Sequence, residues 1–255
     1  EKGGRYIDCT LGGGGHTKMI LEAHPENKVL GLDQDANALK AASMRLADFG
    51  SRFESRRMNF EDLDSLVGTE WEGVDGILMD IGVSSHQIDE AERGFSYMKD
   101  GPLDMRMDDR QEVTAAKLLN ECDAHELARI FSQYGEERYA GRVARAVVRE
   151  RERKAWERTG EFAELLKKVL GRGKNGSPPA PARCFQALRI AVNRELEVLE
   201  NGLVSAFELL GEGGRLVVIS FHSLEDRMVK NFFREKSLSC DCPPDFPVCR
   251  CTRKA

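Results

Sequence analysis

Four consecutive glycines, at positions 12–15, separate an apolar run that contains an acid from a run with helical spacing. Arg5-Tyr6-Ile7-Asp8-Cys9-Thr10 reads as a buried strand, and a helix is expected over 16–23. A glycine run costs backbone entropy. At a strand-to-helix turn it supplies positive φ or lets a ligand approach the backbone closely. The alternation then continues. Lys28–Asp33 reads as a strand, and Asp35 caps a helix carrying Ala38, Leu39, Ala42 and Leu46 on one face. A weaker strand lies near Phe53 and a clear one over Val74–Asp80. This β-α-β-α-β order implies a parallel sheet with right-handed crossovers.

From about 114 to 170 the pattern turns helical, anchored by Leu118, Leu119, Leu127 and Ile130. The Gly/Pro-dense stretch 171–181 cannot continue a helix and reads as a loop near a boundary. One long helix is expected over 184–210, ended by Gly211 and Gly213-Gly214. A late strand over 215–221 and a helix over 224–236 follow. The expected architecture is an α/β, doubly wound sheet interrupted by a helical insertion. Residues 1–104 and 185–239 form the two parts of the sheet domain, 105–184 the insertion and 240–255 a cysteine-rich end.

Composition narrows the function classes. Lys and Arg total 38 against 43 Asp and Glu, a net charge of −5. The chain as a whole is therefore no basic nucleic-acid coat, although a local basic face is compatible with it. With 41% hydrophobic and 32% charged residues the balance is globular rather than disordered. No run reaches the ~18 apolar residues of a transmembrane helix, and no signal or transit peptide is visible. Seven cysteines without a secretory signal fit a reducing compartment. Four of them, Cys240, Cys242, Cys249 and Cys251, offer enough thiolates for a tetrahedral zinc site. C-x-C is tighter than the usual C-x₂₋₄-C spacing, so free or disulfide-prone thiols are the favoured reading and no metal role is assigned.

The glycines are bunched rather than spaced G-x-G-x-x-G, and an acid precedes them. That suits a ligand with an ammonium and a carboxylate, such as S-adenosylmethionine, better than a pyrophosphate. Asp33 follows the glycines by about 20 residues, where a carboxylate accepts from both hydroxyls of an unphosphorylated ribose. Phe60, in the loop after the third strand, is placed to cover an adenine; a core Phe is the alternative.

Further blocks complete the pattern. They are Asp80-Ile81-Gly82-Val83-Ser84-Ser85-x-Gln87, Glu92-Arg93-Gly94-Phe95-Ser96-Tyr97 and Gly101-Pro102-Leu103-Asp104-Met105-Arg106-Met107-Asp108. Tyr134-Gly135-Glu136-Glu137-Arg138, Phe185-Gln186-Ala187-Leu188-Arg189-Ile190-x-Val192-Asn193-x-Glu195-Leu196 and Ser220-Phe221-His222-Ser223-Leu224-Glu225-Asp226-Arg227 follow. In this order, over nearly the whole chain, they resemble the cytosine-N4 methyltransferases of small-subunit ribosomal RNA. The resemblance implies a class I (Rossmann-like) methyltransferase fold and S-adenosylmethionine as donor. It also implies a cytidine of the ribosomal decoding region as acceptor, and family residues on both sides of this sequence. Carried over, the donor contacts are Gly14, Gly15, His16, Asp33, Phe60, Asp80 and Gln87.

The amine of cytosine is conjugated with the ring and is a poor nucleophile, so positioning and preorganised acceptors must supply most of the catalysis. Asp80 is expected to accept the amine hydrogens, or else to hold the donor only. The Asp/Asn-Pro-Pro-aromatic segment of many amino-methyltransferases is absent, which counts against a typical DNA enzyme. His222 is a second catalytic candidate, to orient substrate or relay a proton; a helix-cap role is the alternative. Asp104, Arg106 and Asp108 either shape the rim of the site or pair as salt bridges. Arg138, Arg142, Arg145, Arg149 and Arg153 share one helical face, with Val143 and Val147 opposite. That face is expected to track RNA phosphates, Arg138, Arg142, Arg145 and Arg149 foremost; a solvated charged face is the alternative. The partner is then small-subunit ribosomal RNA, naked or in an assembled subunit, with no membrane, and a homodimer stays open. The expected location is cytoplasmic, with an organelle as the alternative. A ribosome-assembly protein with a vestigial donor fold, and a methyltransferase of DNA or a small molecule, are the competing classes.

Overall fold

The structure, a computed structural model, describes residues 3–171 and 180–237. The four clustered cysteines and the basic residues Arg172 and Lys174 lie outside the described residues. Five parallel strands form one sheet in the order β3-β2-β1-β4-β5. They are β1 (Arg5–Asp8), β2 (Lys28–Asp33), β3 (Phe53–Arg57), β4 (Val74–Asp80) and β5 (Leu210–Ile219). Register is continuous through the centre, Leu30 and Ile77 both lying opposite Ile7. Crossovers α1 (Gly15–Ala23) and α2 (Ala36–Arg45) join the first three strands.

Both faces of the sheet are covered, as a parallel sheet requires. Side-chain alternation divides the faces. Val29 packs with Leu11, Leu21, Ala42 and Leu46 under α1 and α2. Leu30 and Leu32 pack on the other side with Leu63, Leu199 and Leu203. Asp35 caps α2 as expected, its side chain accepting from Asn37 N.

A separate apolar cluster holds the inserted helices together. These are α4 (Ala115–Glu121), α5 (Ala124–Gln133), α6 (Ala140–Arg151) and α7 (Thr159–Leu170), preceded by the short α3 (Ser85–Asp89). The cluster takes in Phe95 and Leu103 ahead of them and Cys184, Phe185, Leu188 and Val192 after them. Of the expected anchors, Leu119, Leu127 and Ile130 are buried in it and Leu118 packs half-buried against it.

The expected single helix over 184–210 is instead two, α8 (Ala180–Asn193) and α9 (Glu195–Leu209). The break is at Arg194, in the left-handed region at φ 51, ψ 33. Its cause is tertiary. Asn193 accepts from Met107 N at 2.8 Å and donates to Met105 O at 2.8 Å, so α8 ends where it stitches the 104–108 loop. Arg194 is then held by Glu197 at 2.6 Å. α8 packs with the helical cluster and α9 with the sheet. The late strand starts at Leu210, earlier than the pattern suggests, because an irregularity opposite Val74 and Gly76 absorbs the intervening glycines. α10 (Ser223–Ser237) closes the described chain. Among the described residues no helix is long and apolar enough to cross a membrane.

Candidate active site

A cavity of about 640 Å³ opens at the carboxyl ends of the strands, where open α/β sheets bind ligands. Gly15, His16, Asp33, Phe60, Asp80 and Gln87 all line it. Gly14 does not line it. It is the N-cap of α1 at φ 75, and a Cβ there would lie 2.9 Å from Leu46 Cδ1. Its lack of a side chain lets α1 close on α2. A Cβ at Gly15 would meet nothing within 4 Å, so the first turn of α1 is open. No side chain caps that turn, and its backbone N–H groups together with the helix dipole favour an anion.

Asp8, the acid before the glycines, is fully buried and serves the frame. It accepts from Thr17 Oγ1 at 2.7 Å and Thr10 N at 3.2 Å, and so pins the start of α1. Asp33 accepts Gly12 N at 2.8 Å on one oxygen and Asp35 N at 2.9 Å on the other. A carboxylate with one donor per oxygen still has lone pairs for two more. Burial outweighs these bonds and pushes the Asp33 carboxyl up to about 6. Phe60 lies between the cavity and α9, where a Cβ on Gly202 would come within 2.4 Å of its ring.

The polar atoms of Gln87 are both engaged. Oε1 accepts Ser84 N at 3.0 Å in a capping box, and Nε2 donates to Asp35 at 3.0 Å. Arg93 reaches the same Asp35 oxygen at 2.6 Å. Burial works to raise the Asp35 carboxyl, but Gln87 and Arg93 outweigh it and hold it below the usual range.

Asp80 joins the two sides of the cavity. Its backbone N donates to Thr10 Oγ1 at 2.7 Å, and its Oδ2 lies 3.1 Å from His16 Nε2. Its Oδ1 is buried with no hydrogen-bond partner among the described residues. An unmet buried acceptor is costly, and this one belongs to a residue on the cavity wall.

His222 does not line the cavity, although Phe221 and Glu225 beside it do. It sits at the N-terminus of α10, with Nε2 3.1 Å from Glu225 Oε1 and Nδ1 3.5 Å from Glu225 N. Glu225 in return accepts Phe221 N at 3.0 Å and His222 N at 3.2 Å. This is a reciprocal cap, the arrangement that competes with a proton relay. Glu195 comes close to the pair, one oxygen or nitrogen of each of the three lying within 4.8 Å of the others. Arg189 grips Glu195 at 2.8 and 2.9 Å, and its fixed positive charge opposes a cation there. Burial pushes the Glu195 carboxyl up, and Arg189 works against it. No role for Arg189, Glu195, Glu225 or Phe221 follows from residue type alone. Their signal was membership of two recurrent blocks.

The 104–108 loop is mostly ion-paired. Arg106 meets Asp104 at 2.7 Å, and Asp108 takes Arg110 at 2.6 Å and Arg57 at 3.0 Å. From this loop only Met107 lines the cavity. Arg138, Arg142, Arg145 and Arg149 are exposed, above buried Val143 and Val147. Arg142 donates to Val169 O and lies 4.7 Å from the Tyr139 ring centre. Arg149 is 3.4 Å from Glu150. Arg151 caps α4, donating to Leu119 O at 3.0 Å and Cys122 O at 2.6 Å, while Lys154 and Arg158 pair with Glu161 and Asp100.

The chain is 53% identical over 253 residues to the ribosomal RNA small subunit methyltransferase H of Symbiobacterium thermophilum, covering 98% of this chain and 79% of that one. It is 52% identical over 256 residues to the protein of the same name from Carboxydothermus hydrogenoformans, covering 100% and 82%. With its counterpart in Heliobacterium modesticaldum it shares 53% over 254 residues, covering 97% and 80%. The model of the MraW methylase family matches residues 1–255, and the chain belongs to that family.

Proposed function

We propose that this protein transfers a methyl group from S-adenosylmethionine to the N4 amine of a cytidine in the decoding region of small-subunit ribosomal RNA, in the cytoplasm. The observation that carries the reading is Asp80, a carboxylate with an unmet acceptor on the wall of a cavity at the sheet's carboxyl edge. The donor supplies an electrophilic methyl on a sulfonium. The open first turn of α1 suits its carboxylate. Asp33 suits the ribose hydroxyls, and Phe60 flanks the place for the adenine.

Asp80 accepts an N–H of the amine, which directs the nitrogen lone pair toward the methyl and favours the pyramidal nitrogen. Methylation of the amine would leave the C–S pair on the donor's sulfur and release one proton, which Asp80 on the cavity wall would accept. His16 orients Asp80. His222 acts through Glu225, holding the loop that carries Phe221. The helical insertion, expected over 105–184, offers the arginines of α6 to the RNA phosphates.

Asp80→Asn separates chemistry from binding. Single-turnover transfer to small ribosomal subunits should fall about 10²–10³-fold, the cost of losing one preorganised group at the reacting centre. Calorimetry should meanwhile show donor affinity changed by less than tenfold. Unchanged turnover with weakened donor binding would reduce Asp80 to a donor contact.

A further inference from the structure

The cavity extends past the residues assigned to the donor. Its lining also takes in Arg189, Asn193 and Glu195 at the α8–α9 break and, after β5, Phe221 and Glu225, the two groups meeting where an oxygen of Glu195 and one of Glu225 lie within 4.8 Å of each other. We propose that this end is the subsite for the acceptor pyrimidine, with Phe221 as its stacking face and the Arg189–Glu195 fork as the group that reads the ring. The assignment rests on the methyl-transfer reading above.

Phe221 is 71% exposed at the cavity wall. An aromatic ring left in water forgoes a large burial gain, and a base is a partner that covers it by stacking. The ring is next to the reacting centre. A Cβ on Gly82, two residues after Asp80, would lie 3.4 Å from Phe221 Cδ2. Gly82 has φ 111, a conformation that favours glycine, so the turn after Asp80 keeps this floor free of a side chain.

Arg189 is fixed by two bonds, Nε and Nη2 each donating to one oxygen of Glu195. A guanidinium held this way is a preoriented donor set. It retains the N–H groups that Glu195 does not use. Cytosine presents acceptors at N3 and O2 beside its N4 amine. Those acceptors match a guanidinium, and the amine then faces Asp80. Uracil places an N3–H donor where Arg189 also donates, so it is rejected. Glu225 serves the chain before α10 instead: its Oε2 accepts both Phe221 N and His222 N, and its Oε1 lies 3.1 Å from His222 Nε2. It is a positioning residue for Phe221. A base reaches this depth only when extruded from its stack.

Phe221→Trp provides a direct probe, since the native Trp71 and Trp156 are buried. In the donor-loaded protein its fluorescence should be quenched saturably by cytidine 5′-monophosphate, and at least about tenfold less tightly by uridine 5′-monophosphate, the scale of one matched polar contact. Adding Arg189→Gln should abolish that preference. In parallel, Phe221→Leu, a surface change that spares the fold, should lower kcat/KM for small ribosomal subunits by about 10–100-fold with donor affinity within twofold, and Phe221→Tyr should restore it. Equal quenching by both nucleotides, no quenching, or full activity of Phe221→Leu beside an active wild type would overturn the subsite. A wild type that methylates no cytosine would overturn the underlying reading and the subsite with it.

Discussion

At Asp33 a half-buried carboxylate carries one backbone donor on each oxygen, and desolvation pushes it up to about 6. Ribose hydroxyls donate to its ionised form, so donor binding should depend on pH. S-adenosylmethionine affinity should be flat above about pH 7 and weaken toward about tenfold per pH unit below 6, as linkage requires. Calorimetry from pH 5 to 8 measures this, and Asp33→Asn should flatten the profile. The effect on stability has the opposite sign to that of a salt-bridged Asp. The folded-state value lies above the ordinary 3.8, so its contribution is present at low pH and is lost as pH rises through about 6. Asp33, Asp80 and the glycines were legible in the sequence because each closes a strand or opens a helix, and the edge of a parallel sheet gathers such positions. The pairing of His16 with Asp80, 64 residues apart, was not, since nothing local relates them. The Arg189–Glu195 fork was hidden by a helix break at Arg194, which is neither glycine nor proline and is forced by Asn193 holding a distant loop.

Among the elements, α6 carries the clearest binding signal. Its apolar side packs inward at Val143 and Val147, and its arginines stay exposed. Spacing alone predicted that division, since positions three and four apart share a face. Spacing did not predict which cations are already engaged. Arg151 spends itself on the carbonyls that end α4, and Lys154 and Arg158 are paired. The set proposed to meet RNA phosphates is therefore narrower than the count of basic residues. Changing Arg142 and Arg145 to Ala should weaken binding to small-subunit RNA and reduce the slope of log affinity against log salt by about 1 for each phosphate that is no longer neutralised. Filter binding across a salt series gives that slope, and an unchanged slope would return α6 to a solvated face. Arg142 also bonds Val169 O, so thermal melts should accompany the titration.

Among the described residues, the apolar clusters on the two faces of the sheet and the helical cluster come together at the 640 Å³ cavity. The sheet core and the helical core are joined by contacts between residues far apart in sequence. Asn193 meets the loop at Met105 and Met107, Arg93 pairs with Asp35, and Glu136 accepts from Ser223 Oγ at 3.0 Å beside the loop of Phe221. The parallel sheet and the insertion were legible because periodicity changes from strand alternation to helical spacing after β4. Where one core yields to the other was not, because α8 and α9 form a continuous apolar pattern that two different cores share. The net charge of −5 fits no basic coat over the whole surface and is compatible with a local basic face. Methyl transfer to cytosine N4 is measured by incubating the protein with labelled S-adenosylmethionine and small ribosomal subunits from cells lacking the enzyme. The RNA is then digested and the labelled nucleoside identified by mass spectrometry. Label is expected in N4-methylcytidine; label in any other nucleoside, or none from a protein that binds the donor, would contradict methyl transfer to cytosine N4.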